Sequence, residues 1–105
     1  MWYMIYGVDH AETIKQRAQA RPAHLARLQA LRDAGRLLLA GPLPNVVEPE
    51  PPRMVGSLIL ADFASLEDAQ AWAKDDPYVH AGVYQDVHIA PWMGVFMPPA
   101  TPVNP

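Results

Sequence analysis

The sequence lacks several features on which common protein functions depend. It contains no cysteine, which excludes disulfides, thiolate nucleophiles and thiolate metal ligands. It has no basic run, and its net charge of −3 argues against a dedicated nucleic-acid-binding protein. No apolar run approaches the roughly 20 residues that span a bilayer. A glycine-rich phosphate loop, a nucleotide fingerprint and a serine-nucleophile motif are also missing. The histidines show no metal-ligand spacing, so we expect neither a metal nor a cofactor.

The residues that are present predict one small folded domain. The chain has 105 residues, half of them hydrophobic and 18% charged, which is typical of a globular protein with a modest core. The apolar residues 1–8 lack the basic lead-in and the small-residue cleavage site of a signal peptide, so we expect a soluble, cytoplasmic protein. We expect the domain to span residues 1–96. Residues 97–105 are rich in proline and carry no core pattern, which is typical of a loosely attached tail.

The hydrophobic pattern predicts main elements in the order β-α-β-β-α-β. Strands are predicted over residues 2–8, 36–41, 54–63 and 83–92. Asp9 is a plausible cap for a first helical segment, and Pro22 predicts a break at Arg21, with the main helix running from Pro22 to about Ala34. Ser65 is predicted to cap a second helix that ends near Lys74. Prolines end the second strand and fill a loop over residues 44–53, which is expected to flank the site.

This element order is typical of an α+β, ferredoxin-like fold, a four-stranded antiparallel sheet with both helices on one face. The first strand is apolar on both sides, and Tyr84 and Trp92 are assigned to the open face of the sheet or to its rim. A large bare apolar face is unusual in a soluble monomer. The pattern therefore predicts a homodimer in which two sheets pack face to face, forming a dimeric α+β barrel.

The helix after Pro22 carries one titratable side chain among its leucines. On a wheel with a 3.6-residue period, His24 lies within about 60° of Leu28, on the apolar face, together with Arg21. The break at Arg21 would place His24 in the first turn of the helix. An imidazole in this position is either a satisfied core group or part of a site.

Several segments resemble the YciI-like protein family. They are Arg21-Pro22-Ala23-His24-Leu25-Ala26-Arg27-Leu28, Gly35-Arg36-Leu37-Leu38, Ala40-Gly41-Pro42, Gly56-Ser57, Ala71-Trp72-Ala73, Asp75-Asp76-Pro77-Tyr78 and Ala81-Gly82-Val83-Tyr84. The resemblance covers about residues 1–96. The combination of His24 in its helix with Asp76-Pro77-Tyr78 after the second helix is its most specific part.

The resemblance implies a dimeric α+β barrel with a ferredoxin-like protomer. It also implies an active-site pair, with the family's histidine at His24 and its aspartate at Asp76. Relatives include a dehydrochlorinase that acts on a chlorinated hydroxyhydroquinone, and a wider superfamily of muconolactone isomerases and cofactor-free oxygenases. A small, cofactor-independent enzyme is therefore implied.

The pair of His24 and Asp76 has two interpretations. In the first, the carboxylate fixes the imidazole tautomer and leaves the other nitrogen free to move protons. In the second, the pair is structural and ties the main helix to the turn after the second helix. A catalytic pair should face a cavity, and losing His24 should cost little stability. A structural pair should be enclosed, and losing one partner should cost about 1–3 kcal/mol.

Five further residues are candidates for substrate binding. Arg21 lies one turn before His24 and could hold a carboxylate or phenolate, although a salt bridge would also explain it. Tyr78 could donate a hydrogen bond to a substrate oxygen or could simply pack. Gly41 and Gly56 could let a ligand approach the strand ends, although turn geometry also explains them. Gly56 near the start of its strand also indicates a bulge or a close approach by a ligand or backbone. Ser57 is a candidate polar lining group.

The leading hypothesis from the sequence is a lyase or isomerase. His24 would move a proton to or from a small, cyclic, oxygenated organic substrate, Asp76 would orient His24, and Arg21 would hold an anionic group. The alternative is a non-catalytic dimer that binds a small molecule or a protein and contains a structural pair.

Overall fold

The protein folds around a four-stranded sheet in which the first strand is central. The computed structural model describes residues 1–46 and 52–97. The elements in chain order are β1 (Trp2–Asp9), α1 (Ile14–Asp33), β2 (Leu37–Pro44), β3 (Met54–Asp62), α2 (Leu66–Lys74), α3 (Pro77–His80) and β4 (Tyr84–Pro91). The strand order is β2-β3-β1-β4, and every pair is antiparallel. The predicted ferredoxin-like protomer is confirmed, with the single-turn α3 added before β4.

The core lies between the helices and one face of the sheet. Tyr3 and Ile5 of β1 and Ile59 of β3 point to this face and are at most 6% exposed. They pack against apolar side chains of both longer helices, which are Leu28, Leu31, Ala69 and Ala73. A buried side chain of leucine or isoleucine size contributes about 1.5–3 kcal/mol. This packing therefore fixes α1 over the sheet and sets where its polar side chains can reach.

The predicted break at Arg21 is wrong, because α1 continues through Pro22. Proline removes one helical hydrogen bond and costs about 3 kcal/mol inside a helix. Pro22 lies on the exposed side of α1, while Arg17, His24 and Leu28 are buried on the other side. Burial of that continuous face outweighs the loss at Pro22. As a consequence, His24 lies in the middle of α1 and not in a first turn.

The ends of α1 also differ in part from the prediction. Asp9 does not cap the helix, because β1 continues to Asp9 and α1 begins at Ile14. Thr13 precedes the helix, and its hydroxyl donates to the carbonyl of His10 at 2.9 Å. At the other end α1 stops at Asp33, close to the predicted end at Ala34, and Gly35 has φ +71°, the left-handed conformation that ends many helices.

Strand β2 extends past the prolines that were predicted to end it. Pro42 and Pro44 pair with residues of β3, opposite Ser57 and Met54 respectively. Proline cannot donate a ladder hydrogen bond, and it is tolerated on edge strands for that reason. β2 is an edge strand in the observed order, so both prolines fit. Of the predicted loop, residues 47–51 lie outside the described residues, as do residues 98–105 of the predicted tail.

A bulge in β4 changes the position of one aromatic residue. The register against β1 shifts between Val8 and Asp9, so that Tyr84 pairs with Asp9 and Asp86 pairs with Val8. The extra residue moves Tyr84 from the open face, where strict alternation placed it, to the helix face. The prediction for Tyr84 is therefore wrong. Its ring now lies over Gly7, where an added Cβ would come 2.6 Å from the ring.

Several local predictions are confirmed. At Gly56 an added Cβ would collide with the carbonyl oxygen of Gly7, so a close approach by backbone explains this glycine. The Ser65 hydroxyl accepts a hydrogen bond from the amide of Asp68 at 3.1 Å and caps α2. Asp76 has extended backbone angles (φ −63°, ψ 132°), as expected for a residue before proline.

The second face of the sheet carries apolar side chains. Tyr6 of β1 and Leu39 of β2 are 37% and 46% exposed, and Tyr6 stacks on His88 with ring centroids 5.8 Å apart. Within residues 1–46 and 52–97, none of the helices combines the length and the apolar character that crossing a membrane requires.

Candidate active site

A cavity of about 340 Å³ lies between α1, the ends of β2 and β3, and α3. Its apolar wall comes from α1, β2 and β3, and its polar groups come from α1, β3 and α3. The polar side chains in its wall are Arg17, Arg21, His24, Ser57 and Tyr78. The cavity has the size and the mixed lining of a small-molecule site.

His24 and Asp76 form a buried pair at this cavity. Nδ1 of His24 lies 2.9 and 3.0 Å from the two carboxylate oxygens of Asp76. His24 is 5% exposed and Asp76 is 2% exposed. Because a carboxylate only accepts hydrogen bonds, Nδ1 carries the proton, and the neutral imidazole then has its lone pair on Nε2. Among the described residues Nε2 has no hydrogen-bond partner, so it is available to a molecule in the cavity.

The local sequence explains why Asp76 is held so firmly. Asp76 is the N-cap of α3, and Pro77 takes the first helical position, where its missing amide costs nothing. The carboxylate of Asp76 accepts a hydrogen bond from the amide of Tyr78 at 2.8 Å. Asp76 therefore serves two roles, because one carboxylate caps α3 and holds His24.

Tyr78 packs directly against the imidazole. The Tyr78 and His24 rings are stacked, with centroids 4.0 Å apart and an angle of 18° between their planes. Burial raises the pKa of the Tyr78 phenol, and the positive charges of Arg17 and Arg21 offset part of that rise. The phenol therefore stays protonated at neutral pH and can donate a hydrogen bond.

A second polar cluster lies beside the first. Nη1 of Arg17 donates to both carboxylate oxygens of Asp9, at 3.0 and 2.8 Å. Nη2 donates to the carbonyl of Gly56 at 3.1 Å and to the hydroxyl of Ser57 at 2.8 Å. The guanidinium carbon lies 4.6 Å from the centre of the Tyr78 ring. Arg17 therefore ties α1 to β1 and β3 and contacts the ring on which His24 stacks.

Burial shapes the ionisation of this second cluster. Desolvation raises the pKa of the Asp9 carboxyl, and the Arg17 charge and hydrogen bond offset part of that rise. Burial also raises the pKa of Tyr84, and a hydrogen bond with Ser57 offsets part of it. Tyr84 meets Tyr78 edge to face, with centroids 5.6 Å apart. The phenol of Tyr84 therefore remains neutral behind the cavity.

The structure brings most of the predicted site residues together. Five of them line the cavity: Arg21, His24, Gly41, Ser57 and Tyr78. Asp76 lies behind the lining and acts through His24. Gly56 is also behind the wall, and its contribution is the carbonyl that accepts from Arg17.

Sequence reasoning missed Arg17, Asp9 and Tyr84. Arg17 lies one turn before Arg21 and two turns before His24, so a continuous wheel would have placed it on the same face. The break assumed at Arg21 hid that relation. Tyr84 was missed because a bulge leaves no clear mark in the sequence, and Asp9 because it was treated as a cap.

Comparison with known proteins decides the family. The model of the YCII-related domain matches residues 1–93. The chain belongs to this family. It is 53% identical over 98 residues to protein YciI of Escherichia coli O6:H1 and to protein YciI of Shigella flexneri, and each match covers 91% of this chain and all of the relative. It is 43% identical to an uncharacterized protein of Haemophilus influenzae over the same length.

A solved structure with the same fold is known for an enzyme. 5-Chloro-2-hydroxyhydroquinone dehydrochlorinase (TftG) from Burkholderia phenoliruptrix AC1100, in complex with 2,5-dihydroxybenzoquinone, superposes on this YCII-related chain with a TM-score of 0.80. The match covers 89% of this chain and 94% of the enzyme, at 23% sequence identity. At that identity the comparison supports the fold of this chain and does not transfer the reaction.

Proposed function

We propose that this YCII-related protein is a small enzyme that works without a cofactor and uses His24 as its acid/base. The substrate would be a small, cyclic, oxygenated organic molecule, and the reaction a lyase or isomerase reaction. One observation carries the proposal. His24 lines a cavity, its Nε2 has no hydrogen-bond partner among the described residues, and its Nδ1 is held by a buried carboxylate. A base oriented by a second group is the arrangement that proton transfer requires.

The remaining cavity residues fit this chemistry. Arg21 lies in the wall one turn before His24, where its charge favours an anionic substrate oxygen. Tyr78 stays protonated and could donate to a second oxygen. Apolar side chains such as Leu28 and Ile59 supply a surface for a ring. Gly41 leaves the β2 wall open, and Ser57 adds a hydroxyl.

The same nitrogen of His24 can serve as the base in both reaction types. In an isomerisation, Nε2 would take a proton from one substrate atom and return it to another. In an elimination, Nε2 would take a proton, the electron pair left behind would form a new double bond, and chloride would leave with the bonding pair from carbon. The imidazolium would then release its proton to water. We propose the second type by analogy with TftG, whose name describes a dehydrochlorinase and which shares this fold.

The test is turnover of chlorinated hydroquinones and of lactones by the wild type and by His24→Gln. Loss of an acid/base group typically costs a factor of about 10² to 10⁴ in rate. Arg32→Met, which changes an exposed arginine in the last turn of α1, is the control and should retain full activity. Equal rates for the wild type and His24→Gln on every substrate that is converted would contradict the proposal.

A second candidate function is a non-catalytic binding module with a structural pair. The observation that favours it is the double role of Asp76, which caps α3 and also joins α3 to α1 through His24. On this interpretation His24→Gln would bind the same small molecules as the wild type, and its main effect would be on stability.

We further propose that the protein is a homodimer formed through the open face of the sheet. Tyr6 and Leu39 expose apolar surface on that face, and burying such surface is favourable. The cavity lies on the opposite side of the sheet, so pairing would leave its mouth accessible. The cytoplasmic location stays a prediction.

A further inference from the structure

We propose that Arg17 is a positioning residue for His24, which it serves by fixing the Tyr78 ring against which the imidazole stacks. The catalytic meaning of this inference rests on the proposed function. Its structural content does not, because it concerns the orientation of His24 in the protein without substrate.

Arg17 is anchored to two strands of the sheet. Its guanidinium is held by hydrogen bonds to Asp9 on β1 and to Gly56 and Ser57 on β3. The planar fork of arginine suits such a set, because each nitrogen points in a fixed direction. The side chain is 10% exposed. The sheet therefore holds a helix side chain in one orientation.

The anchored guanidinium of Arg17 contacts the Tyr78 ring. The guanidinium carbon of Arg17 is 4.6 Å from the ring centre, a cation–π distance, and the His24 ring is 4.0 Å from the same centre. Tyr84 meets the ring at its edge. Tyr78 is 2% exposed, so three side chains confine a ring that has almost no contact with solvent.

To act as a base, His24 needs its Nε2 held in one direction. The bonds from Nδ1 to Asp76 fix one point of the imidazole, but they leave the ring free to tilt about that point. The stacked Tyr78 ring restricts the plane of the imidazole and therefore the direction of Nε2. Small errors in direction matter, since a misplacement of about 1 Å can cost about 10²-fold in rate.

The burial of the Arg17–Asp9 ion pair also favours a role beyond stability. Removing two charges from water costs several kcal/mol per ion, and apolar replacements of buried pairs are often as stable. A buried pair beside a candidate active site is therefore better explained by the orientation that it imposes. In this case it orients the guanidinium against Tyr78.

The test is an NMR measurement on the whole protein without ligand, comparing wild type with Arg17→Met and Arg17→Lys. In the wild type the carbon-bound protons of the His24 ring should show the upfield ring-current shift of a stacked imidazole. Arg17→Met should move them downfield, because the Tyr78 ring is released. Arg17→Lys retains the charge but lacks the fork and should give most of the same change. The control Arg32→Met should leave the His24 signals in place.

The readout separates positioning from a merely structural role. A structural tie would lower the melting temperature of Arg17→Met while the folded protein kept the His24 signals of the wild type, and that result would overturn the inference. If Arg17→Met does not fold, Ser57→Ala, which removes one anchor of Nη2, takes its place. An unchanged His24 spectrum in Ser57→Ala would likewise count against the inference.

The two proposals can fail separately. If the His24 signals move in Arg17→Met and neither the wild type nor any variant turns over a substrate, the positioning role is supported and the proposed enzymatic function is ruled out. If turnover depends on His24 but the His24 spectrum of Arg17→Met is unchanged, the proposed enzymatic function is supported and the positioning role of Arg17 is ruled out.

Discussion

At the scale of single residues, Asp76 controls which nitrogen of His24 carries the proton. In the wild type the carboxylate accepts from Nδ1, so the neutral imidazole is a single tautomer with the lone pair on Nε2. In Asp76→Asn the amide can donate as well as accept, so we expect a mixture of both tautomers. The measurement is the pair of imidazole ¹⁵N chemical shifts of His24. A single unchanged tautomer in Asp76→Asn would contradict this assignment.

The pair lies at the cavity and is also buried, so the low stability cost expected of a catalytic pair does not apply here. A stability effect is expected whether or not His24 moves protons. In His24→Ala the buried Asp76 carboxylate keeps only the hydrogen bond from the backbone N–H of Tyr78. Leaving a buried polar group short of partners costs about 1–3 kcal/mol of stability. Chemical denaturation should show this loss. His80→Ala, which removes an exposed imidazole on α3, is the control and should change stability by less than about 0.5 kcal/mol. If His24→Ala is as stable as the wild type, the pair contributes nothing measurable to the free energy of unfolding.

Tyr84 predicts how stability depends on alkaline pH. Burial raises its pKa above the ordinary value of 10.0, so the folded protein keeps the phenol protonated where the unfolded chain ionises. Below pH 10 both states bind the proton, and the stabilisation is fully present. As the pH rises above 10, only the unfolded chain releases its proton, so stability falls. Tyr84→Phe should unfold at a higher pH in an alkaline titration followed by circular dichroism. Tyr6→Phe, on the open face, is the control.

At the scale of secondary structure elements, α1 contains a proline that the packing of the helix overrides. Pro22→Ala would restore the amide that can bond to the preceding turn, so we expect a gain of up to about 3 kcal/mol and a higher melting temperature. Because Pro22 is on the exposed side, the cavity should not change. Pro42→Ala, on the edge strand β2, should give no comparable gain. A lower melting temperature for Pro22→Ala would mean that its ring stabilises the helix.

The bulge in β4 places the Tyr84 ring against Gly7, where any larger side chain would clash. In Gly7→Ala the new methyl group would lie 2.6 Å from the Tyr84 ring, so the ring must move and the protein should lose about 1–3 kcal/mol. Gly41→Ala, where nothing lies within 4 Å of the added Cβ, is the matched control. Tyr84→Leu in the Gly7→Ala background should recover part of the loss. Additive losses in the double variant would contradict direct contact.

The elements also show where sequence reasoning works and where it stops. Local patterns were sufficient for the order of the main elements along the chain and for the Ser65 cap, whereas the pairing of His24 with Asp76 came from the family resemblance. Local patterns failed at Pro22, because a local penalty was weighed without the buried face of the whole helix. They failed at Tyr84, because a single extra residue in β4 reverses the alternation of faces. Arg17 was missed because of the break assumed at Arg21, and two of its partners, Gly56 and Ser57, are distant in the sequence.

At the scale of the whole molecule, the sheet separates two surfaces with different roles. The helix face carries the core and the cavity. The open face carries exposed Tyr6 and Leu39, and a bare apolar sheet of this kind favours association. If the open face is the dimer interface, its disruption should not alter the His24 pair, because the two surfaces are on opposite sides of the sheet.

Leu39→Asp tests this separation. It places a charge on the proposed interface, where burying an unpaired charge is costly, so we expect the dimer to become a monomer. Light scattering after size-exclusion chromatography measures the mass directly. Leu25→Asp, a similarly exposed leucine on α1 at 40%, is the matched control and should remain dimeric. The His24 ¹⁵N shifts of the Leu39→Asp monomer should match those of the wild type. If the wild type has the mass of one chain, the proposed dimer is ruled out. If the His24 shifts change in the monomer, the site depends on the second copy.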